Sequence, residues 1–142
     1  MPILYRTKAT ALAGRAGHVK TADGTLNLQL GVPKELGGAG EAGRTNPEQL
    51  YACGHAACFG GAIEYVARQR KIAVSKVEVT CEVGIGPRDA GGFGLEIALH
   101  AVVGGVTAQQ ALELANEAHE KICPYSHATR GNVDVKVTAA AG

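Results

Sequence analysis

The residues of this chain with chemistry in them are four cysteines, an arginine set among small residues and a glutamate at a helix start. Cys58 lies within a long apolar stretch. Cys123 opens the run Cys123-Pro124-Tyr125-Ser126-His127-Ala128-Thr129-Arg130-Gly131-Asn132. A thiol inside a helix and a thiol at a proline-broken helix end form a pair that can meet and oxidise. Alone, Cys58 reads as an inert buried thiol; the second thiol makes redox chemistry the sharper reading. A cysteine before proline is released from helical geometry and can move toward a partner. A helix C-terminus disfavours anions, so Cys123 reads as the resolving thiol and Cys58 as the attacking one.

An attacking thiol must ionise, and in an apolar site a nearby cation is the usual means. Arg15, in Gly14-Arg15-Ala16-Gly17, is the candidate, since its small neighbours permit close backbone approach. The competing reading is a solvated turn arginine. Glu48 is either a first-turn carboxylate matched to the helix dipole or a bidentate clamp on the Arg15 guanidinium. Ten residues separate Glu48 from Cys58, about 15 Å along a continuous helix. If Glu48 takes part, the site is shared with a two-fold related copy.

Metal binding is the rival chemistry. His55 and Cys58 share a helix face, but Cys53 points elsewhere and no compact four-ligand cluster appears with His119 or His127. No C-x-x-C motif occurs. The G-x-x-G at residues 14–17 follows a strand instead of joining two helices, which sets it apart from a nucleic-acid-binding loop.

Several elements must position these residues. The sequence predicts a strand over 3–13, extended structure at His18 and Val19, and a turn at Asp23-Gly24. Leu26, Leu28 and Leu30 alternate as a half-buried strand. A glycine-rich loop spans 31–46, longer than most connections within a compact domain. Asn46-Pro47-Glu48-Gln49 predicts a helix start, with Asn46 as N-cap, Pro47 as first helical residue and Gln49 closing a capping box. That helix should reach Arg70 or Lys71. Its small-residue middle, 52–62, predicts close approach of another backbone, with a second copy of the chain as the candidate. Val77, Val79, Cys81, Val83 and Ile85 mark one strand face, and Phe93, Leu95, Ile97, Leu99 and Ala101 the next. Thr107-Ala108-Gln109-Gln110 predicts a second capped helix with Ala111, Leu112, Leu114, Ala115, Ala118 and Ile122 inward, ending before Pro124. Val133, Val135 and Val137 form a last strand. The order is an α+β pattern with a mostly antiparallel sheet, expected to form one domain over 1–142.

Asn46-Pro47-Glu48-Gln49-Leu50-Tyr51-Ala52, Ala56-Ala57-Cys58-Phe59, Cys123-Pro124-Tyr125-Ser126 and Ala128-Thr129-Arg130-Gly131-Asn132 resemble the organic hydroperoxide resistance proteins of the OsmC superfamily. Pro33-Lys34-Glu35-Leu36-Gly37-Gly38 and Gly92-Phe93-Gly94-Leu95-Glu96 fit as well, so the likeness covers nearly the whole chain. The resemblance implies an OsmC-like fold with a long central helix, an intertwined homodimer with shared sites, and reduction of alkyl and lipid hydroperoxides to alcohols. By position it implies Cys58 as peroxidatic cysteine, Cys123 as its disulfide partner, Arg15 as the thiolate's arginine and Glu48 as the residue orienting it. No bound cofactor or metal is implied; a dihydrolipoyl group on a protein partner is the implied reductant. The chain departs from the family pattern at Cys53, His55 and His127, where alanine, tyrosine and asparagine are commoner. The remaining alternatives are an OsmC-type peroxidase of broader range and a non-enzymatic redox sensor or binding module.

Composition bounds the rest. A net charge of +1 argues against a nucleic-acid partner. No apolar run reaches the length of a membrane span. The N-terminus lacks a signal-peptide layout, so the chain is expected in the cytoplasm, where four cysteines are not structural disulfides.

Overall fold

A computed structural model describes residues 1–142, which form two compact units, Met1–Leu50 and Tyr51–Gly142. The first holds an antiparallel three-stranded sheet in the order β1 (Ala9–Leu12), β2 (His18–Thr21), β3 (Asn27–Gln29). β1 is far shorter than the 3–13 expected. Its register on β2 runs from Ala9 opposite Thr21 to Leu12 opposite His18, so β2 sets its length. Residues 1–8 carry no regular structure and are exposed.

Between β1 and β2 the chain reverses through a 3-10 turn at Gly14–Ala16. Ala13 and Gly14 both adopt left-handed backbone, φ 59° and 55°, which costs about 1 kcal/mol at the alanine. Gly17 is compelled by space, since a Cβ there would fall 1.8 Å from the Leu12 carbonyl oxygen. The glycines thus fold the turn tightly with Arg15 at its crest. At the Asp23-Gly24 turn, Asp23 accepts from the Thr25 N–H at 3.0 Å and Gly24 takes φ 76°. The loop after β3 returns beside it, with Thr45 N–H donating to Gln29 O and Gly31 N–H to Thr45 O. Leu30 is the buried hydrophobic residue of this unit.

α1 spans Pro47–Gln69. The Gln49 N–H donates to Asn46 Oδ1 at 2.9 Å, as an N-cap requires. The capping box does not close, because Gln49 Oε1 accepts from the Thr45 hydroxyl instead.

In the second unit, β4 (Lys76–Pro87) and β5 (Phe93–Gly104) pair antiparallel along their whole length. β6 (Val135–Ala141) joins β5 in parallel, after the crossover such a pairing needs. That crossover holds α2 (Ala108–Glu117), a π-helical turn at Ala118–Ile122 and α3 (Pro124–Thr129). The Thr107–Gln110 capping box of α2 is complete in both directions. α3 was not expected: Pro124 starts a helix as well as ending one. With one parallel pair beside three antiparallel ones, the fold is α+β with mixed sheets.

The core of this unit is built at helical and strand periods together. Phe59, Ile63, Val66 and Ala67 line one face of α1, and Leu99, Ala101 and Val103 one face of β5. Ala111, Leu114, Ala115 and Ala118 join them, with Cys123 in the same cluster. Full burial of Phe59 or Ile63 stabilises by roughly 1.5–3 kcal/mol each. Leu112 and Ile122, expected inward, are partly exposed. The π-helical turn adds a residue to the turn and shifts the phase beyond Ala118. β4 lies at the sheet edge, where Val77, Val79 and Cys81 are half-buried against the core.

Candidate active site

Cys58 and Cys123 meet. α1 carries Cys58 beside the core residue Phe59, and Cys123 stands where the π-helical turn passes into α3. Their sulfurs are 3.7 Å apart, with Cys58 half-buried and Cys123 at 1% exposure. No disulfide joins them. Cys123 has extended backbone, φ −67° and ψ 117°. Its N–H donates to Ala118 O at 2.8 Å and its carbonyl accepts from the His127 N–H at 2.9 Å, so its backbone is held at both ends.

This corrects one expectation. Cys123 sits at the N-terminal edge of α3, not only at the end of the preceding helical turn, and the positive end of that short helix faces it. Burial alone pushes its thiol up. Hydrogen bonds from His55, from the Ser126 backbone and hydroxyl, and from Cys58 outweigh burial and bring it down to about 6. Burial pushes the Cys58 thiol up; a hydrogen bond from the Tyr125 backbone opposes this, and Cys123 adds to the rise. Within this unit, then, hydrogen bonding favours the anion at Cys123 while burial disfavours it at Cys58.

Around the sulfurs lies a polar and aromatic cluster. His55 is fully buried. Tyr51 Oη is 3.2 Å from its Nδ1, and Ser126 Oγ is 3.4 Å from its Nε2. His119 Nδ1 is 2.9 Å from the same hydroxyl. Burial, aided by Arg130 and His55, lowers the His119 pKa. The rings of Tyr51, His55 and Tyr125 lie within 5.6–6.0 Å of one another, centroid to centroid. Gly54 makes room for Tyr125, since a Cβ at Gly54 would sit 3.1 Å from the tyrosine Oη. A helix glycine therefore does admit a close neighbour, here an aromatic ring of the same chain. Gly61 faces open space.

In the first unit, Arg15 and Glu48 form a two-pronged ion pair: Nη1 to Oε2 at 2.9 Å and Nη2 to Oε1 at 2.6 Å. Arg15 is 41% exposed and Glu48 13%. The guanidinium holds the Glu48 carboxyl below its ordinary range, and the carboxylate in turn raises Arg15. Two expected pairings, thiol with thiol and guanidinium with carboxylate, are thus brought together by residues 33 and 65 positions apart.

Of the remaining candidates, Cys53 and His127 are exposed, and Cys81 is half-buried with burial raising its thiol. No three His, Cys, Asp or Glu side chains converge to hold a metal ion. Ser126 and Tyr125 were not singled out from the sequence as site residues, and His119 was weighed only as a metal ligand. Ser126 and Tyr125 lie in the quoted run after Cys123, but only the α3 turn brings the Tyr125 backbone to Cys58 and Ser126 to Cys123. A cavity of about 330 Å³ is lined by Tyr51, Leu95, Ile97, Tyr125, Ala128 and Val133, among others. It shares both tyrosines with the thiol cluster. No helix is long and apolar enough to cross a membrane.

Residues 38–138 match the family described as OsmC-like protein. An organic hydroperoxide resistance protein of Xanthomonas axonopodis pv. citri is 47% identical over 97% of this chain and 96% of its own length. The corresponding protein OhrB of Bacillus subtilis is 44% identical, covering 94% of this chain and 96% of its own. Among solved structures, an organic hydroperoxide resistance protein of Elizabethkingia anophelis superposes with a TM-score of 0.93 at 47% identity, each chain fully covered.

Proposed function

The chain belongs to the organic hydroperoxide resistance proteins of the OsmC family, and from that premise we propose that it is a cysteine-based peroxidase for organic hydroperoxides. The observation that carries this reading is the 3.7 Å approach of two unbonded cysteine sulfurs, one of them almost wholly buried. In the proposed cycle the Cys58 thiolate attacks the terminal peroxide oxygen. The O–O bond breaks, the alkoxide takes a proton and leaves as an alcohol, and Cys58 becomes a sulfenic acid. Cys123 then displaces its hydroxyl as water, giving a disulfide. An external dithiol restores both thiols by exchange; a dihydrolipoyl group on a protein partner is the proposed reductant. The cycle requires a reducing compartment, which the cytoplasm supplies.

The acidity of Cys123 sharpens the role of the ion pair. Left to their own unit, the two sulfurs place their negative charge on Cys123. A guanidinium beside Cys58 draws that charge to the attacking sulfur. We assign this to Arg15, oriented by Glu48, in a homodimer whose sites are shared. The open, small-residue surface of α1 at Ala57 and Gly61, together with the half-buried face of β4, favours a second copy packing there. The largely apolar cavity beside Tyr51 and Tyr125 suits an alkyl chain better than hydrogen peroxide.

The test is a steady-state assay with dihydrolipoamide and its reductase. Organic hydroperoxides such as cumene hydroperoxide should turn over faster than hydrogen peroxide by at least tenfold. Equal rates favour a broad-range peroxidase. No loss of free thiols after one equivalent of organic peroxide removes the enzymatic reading altogether.

A further inference from the structure

The thiol cycle leaves one buried titratable group without a part. His55 has no exposed surface and precedes Cys58 by three positions on α1, so the two side chains share a helix face. Its Nε2 is 3.4 Å from Ser126 Oγ, which is itself 2.9 Å from His119 Nδ1. Ser126 stands three positions past Cys123 in α3, and hydrogen bonding from His55 and Ser126 holds the Cys123 thiol down. His119 is half-buried and closes the line toward the surface. An imidazole enclosed beside two reacting sulfurs, connected through a hydroxyl to a second imidazole, is placed to move a proton.

We propose that His55 is the acid–base residue of the condensation between the Cys58 sulfenic acid and Cys123, with Ser126 and His119 connecting it to the surface. This deepens the peroxidase function proposed above and rests on it. His55 Nε2 takes the proton from Cys123 Sγ, while Nδ1–H donates to Tyr51 Oη. The Cys123 thiolate then supplies the electron pair of a new bond to Cys58 Sγ. The S–O bond breaks and its pair leaves with the hydroxyl, which receives the proton from Nε2 and departs as water. One thiol and one sulfenic acid become one disulfide and one water. The Cys123 sulfur is oxidised as the sulfenic sulfur is reduced, so no further redox partner enters.

Titratable groups surround His55 from three elements. Tyr51 faces it from α1, where Cys58 lies three positions on, Cys123 and Tyr125 from α3 and its edge, and His119 from the π-helical turn. Arg130 and Glu120 act one step further out, on His119. No carboxylate hydrogen-bonds to His55, so the proton it moves has the sulfurs and the Ser126 hydroxyl as its near partners.

The experiment uses the full chain with His55→Gln. After rapid mixing with one equivalent of cumene hydroperoxide, Cys58 sulfenic acid is trapped with dimedone and disulfide is followed by thiol count. The variant should accumulate trappable sulfenic acid. Its disulfide step should slow by about 10²-fold, with the pH dependence of that step flattened. Disulfide formation at the parental rate and pH profile overturns the proposal. If His55→Gln does not fold, Ser126→Ala replaces it, with a slower step and altered pH profile expected and an unchanged one overturning it. A second measurement needs no peroxide. In Cys58→Ser, the ultraviolet absorbance of the Cys123 thiolate is titrated with and without His55→Gln. The midpoint should rise by about one pH unit when His55 is lost. An unmoved midpoint overturns the inference, whereas a moved midpoint in a chain that reduces no hydroperoxide counts against the peroxidase reading alone.

Discussion

The chain holds two charge-sharing pairs built on opposite principles. The Arg15–Glu48 fork is partly solvated, fixed by two charge-assisted hydrogen bonds, and raised on a turn that glycines fold. The Cys58–Cys123 pair is packed into the core, next to Phe59, with its charge favoured by one imidazole and a hydroxyl. In the first pair the charges are permanent and water screens them, so it is worth little as a fastener. In the second the charge is movable and burial makes its position costly to choose. A permanent cation of the first kind is what can decide where a movable charge of the second kind resides.

Substitutions separate the two. The largest effect is expected from Cys58→Ser, which should abolish peroxide turnover in the dithiol assay; turnover surviving at the parental rate breaks the assignment of the attacking sulfur. Cys123→Ser comes next. It should allow one equivalent of peroxide to react and then stall, with mass spectrometry showing sulfinic and sulfonic forms of Cys58 as peroxide is added. Glu48→Gln weakens the fork and leaves the thiols in place. We expect kcat/KM to fall about tenfold, since a charge-assisted hydrogen bond is worth about 1.5–3 kcal/mol before solvent reduces it. An unchanged rate means that the fork is structural only. The fork also predicts acid sensitivity. The folded Glu48 carboxyl is depressed below its ordinary value of 4.5, so its contribution to stability is present above that pH and is lost as pH falls below it. Glu48→Gln should therefore flatten the low-pH limb of a Tm profile. The smallest effect belongs to Gly54→Ala. Helix propensity gains up to about 1 kcal/mol, while the partly exposed Tyr125 ring must give by a few tenths of an ångström. Stability should change little, and KM for bulky hydroperoxides should shift several-fold.

Much of this was legible before any coordinates. The α1 start followed from Asn46-Pro47, the Thr107 capping box from its spacing, and the faces of β4 and β5 from alternation. What failed, failed where a partner sets the outcome. Residues 3–5 are as apolar as a strand, but the pairing with β2 ends at Ala9 opposite Thr21. Gln49 had two acceptable partners, and the Thr45 hydroxyl took it. Pro124 carries a stop signal and a start signal at once, and only tertiary packing chooses between them. The acidity of Cys123 was hidden for the same reason. It comes from His55 and from residues just after the proline, whose turn into α3 no local pattern announces.

The π-helical turn before Cys123 has a mechanical meaning. Its closure from the Cys123 N–H to the Ala118 carbonyl spans five residues where an ordinary helix spans four. Each residue turns a helix by about 100°, so the surplus one works as an angular setting that aims the second sulfur. Forcing Ala118–Ile122 into ordinary helical closure with every residue kept would carry position 123 about 100° further round, away from α1, and part the two sulfurs with every reactive side chain still present.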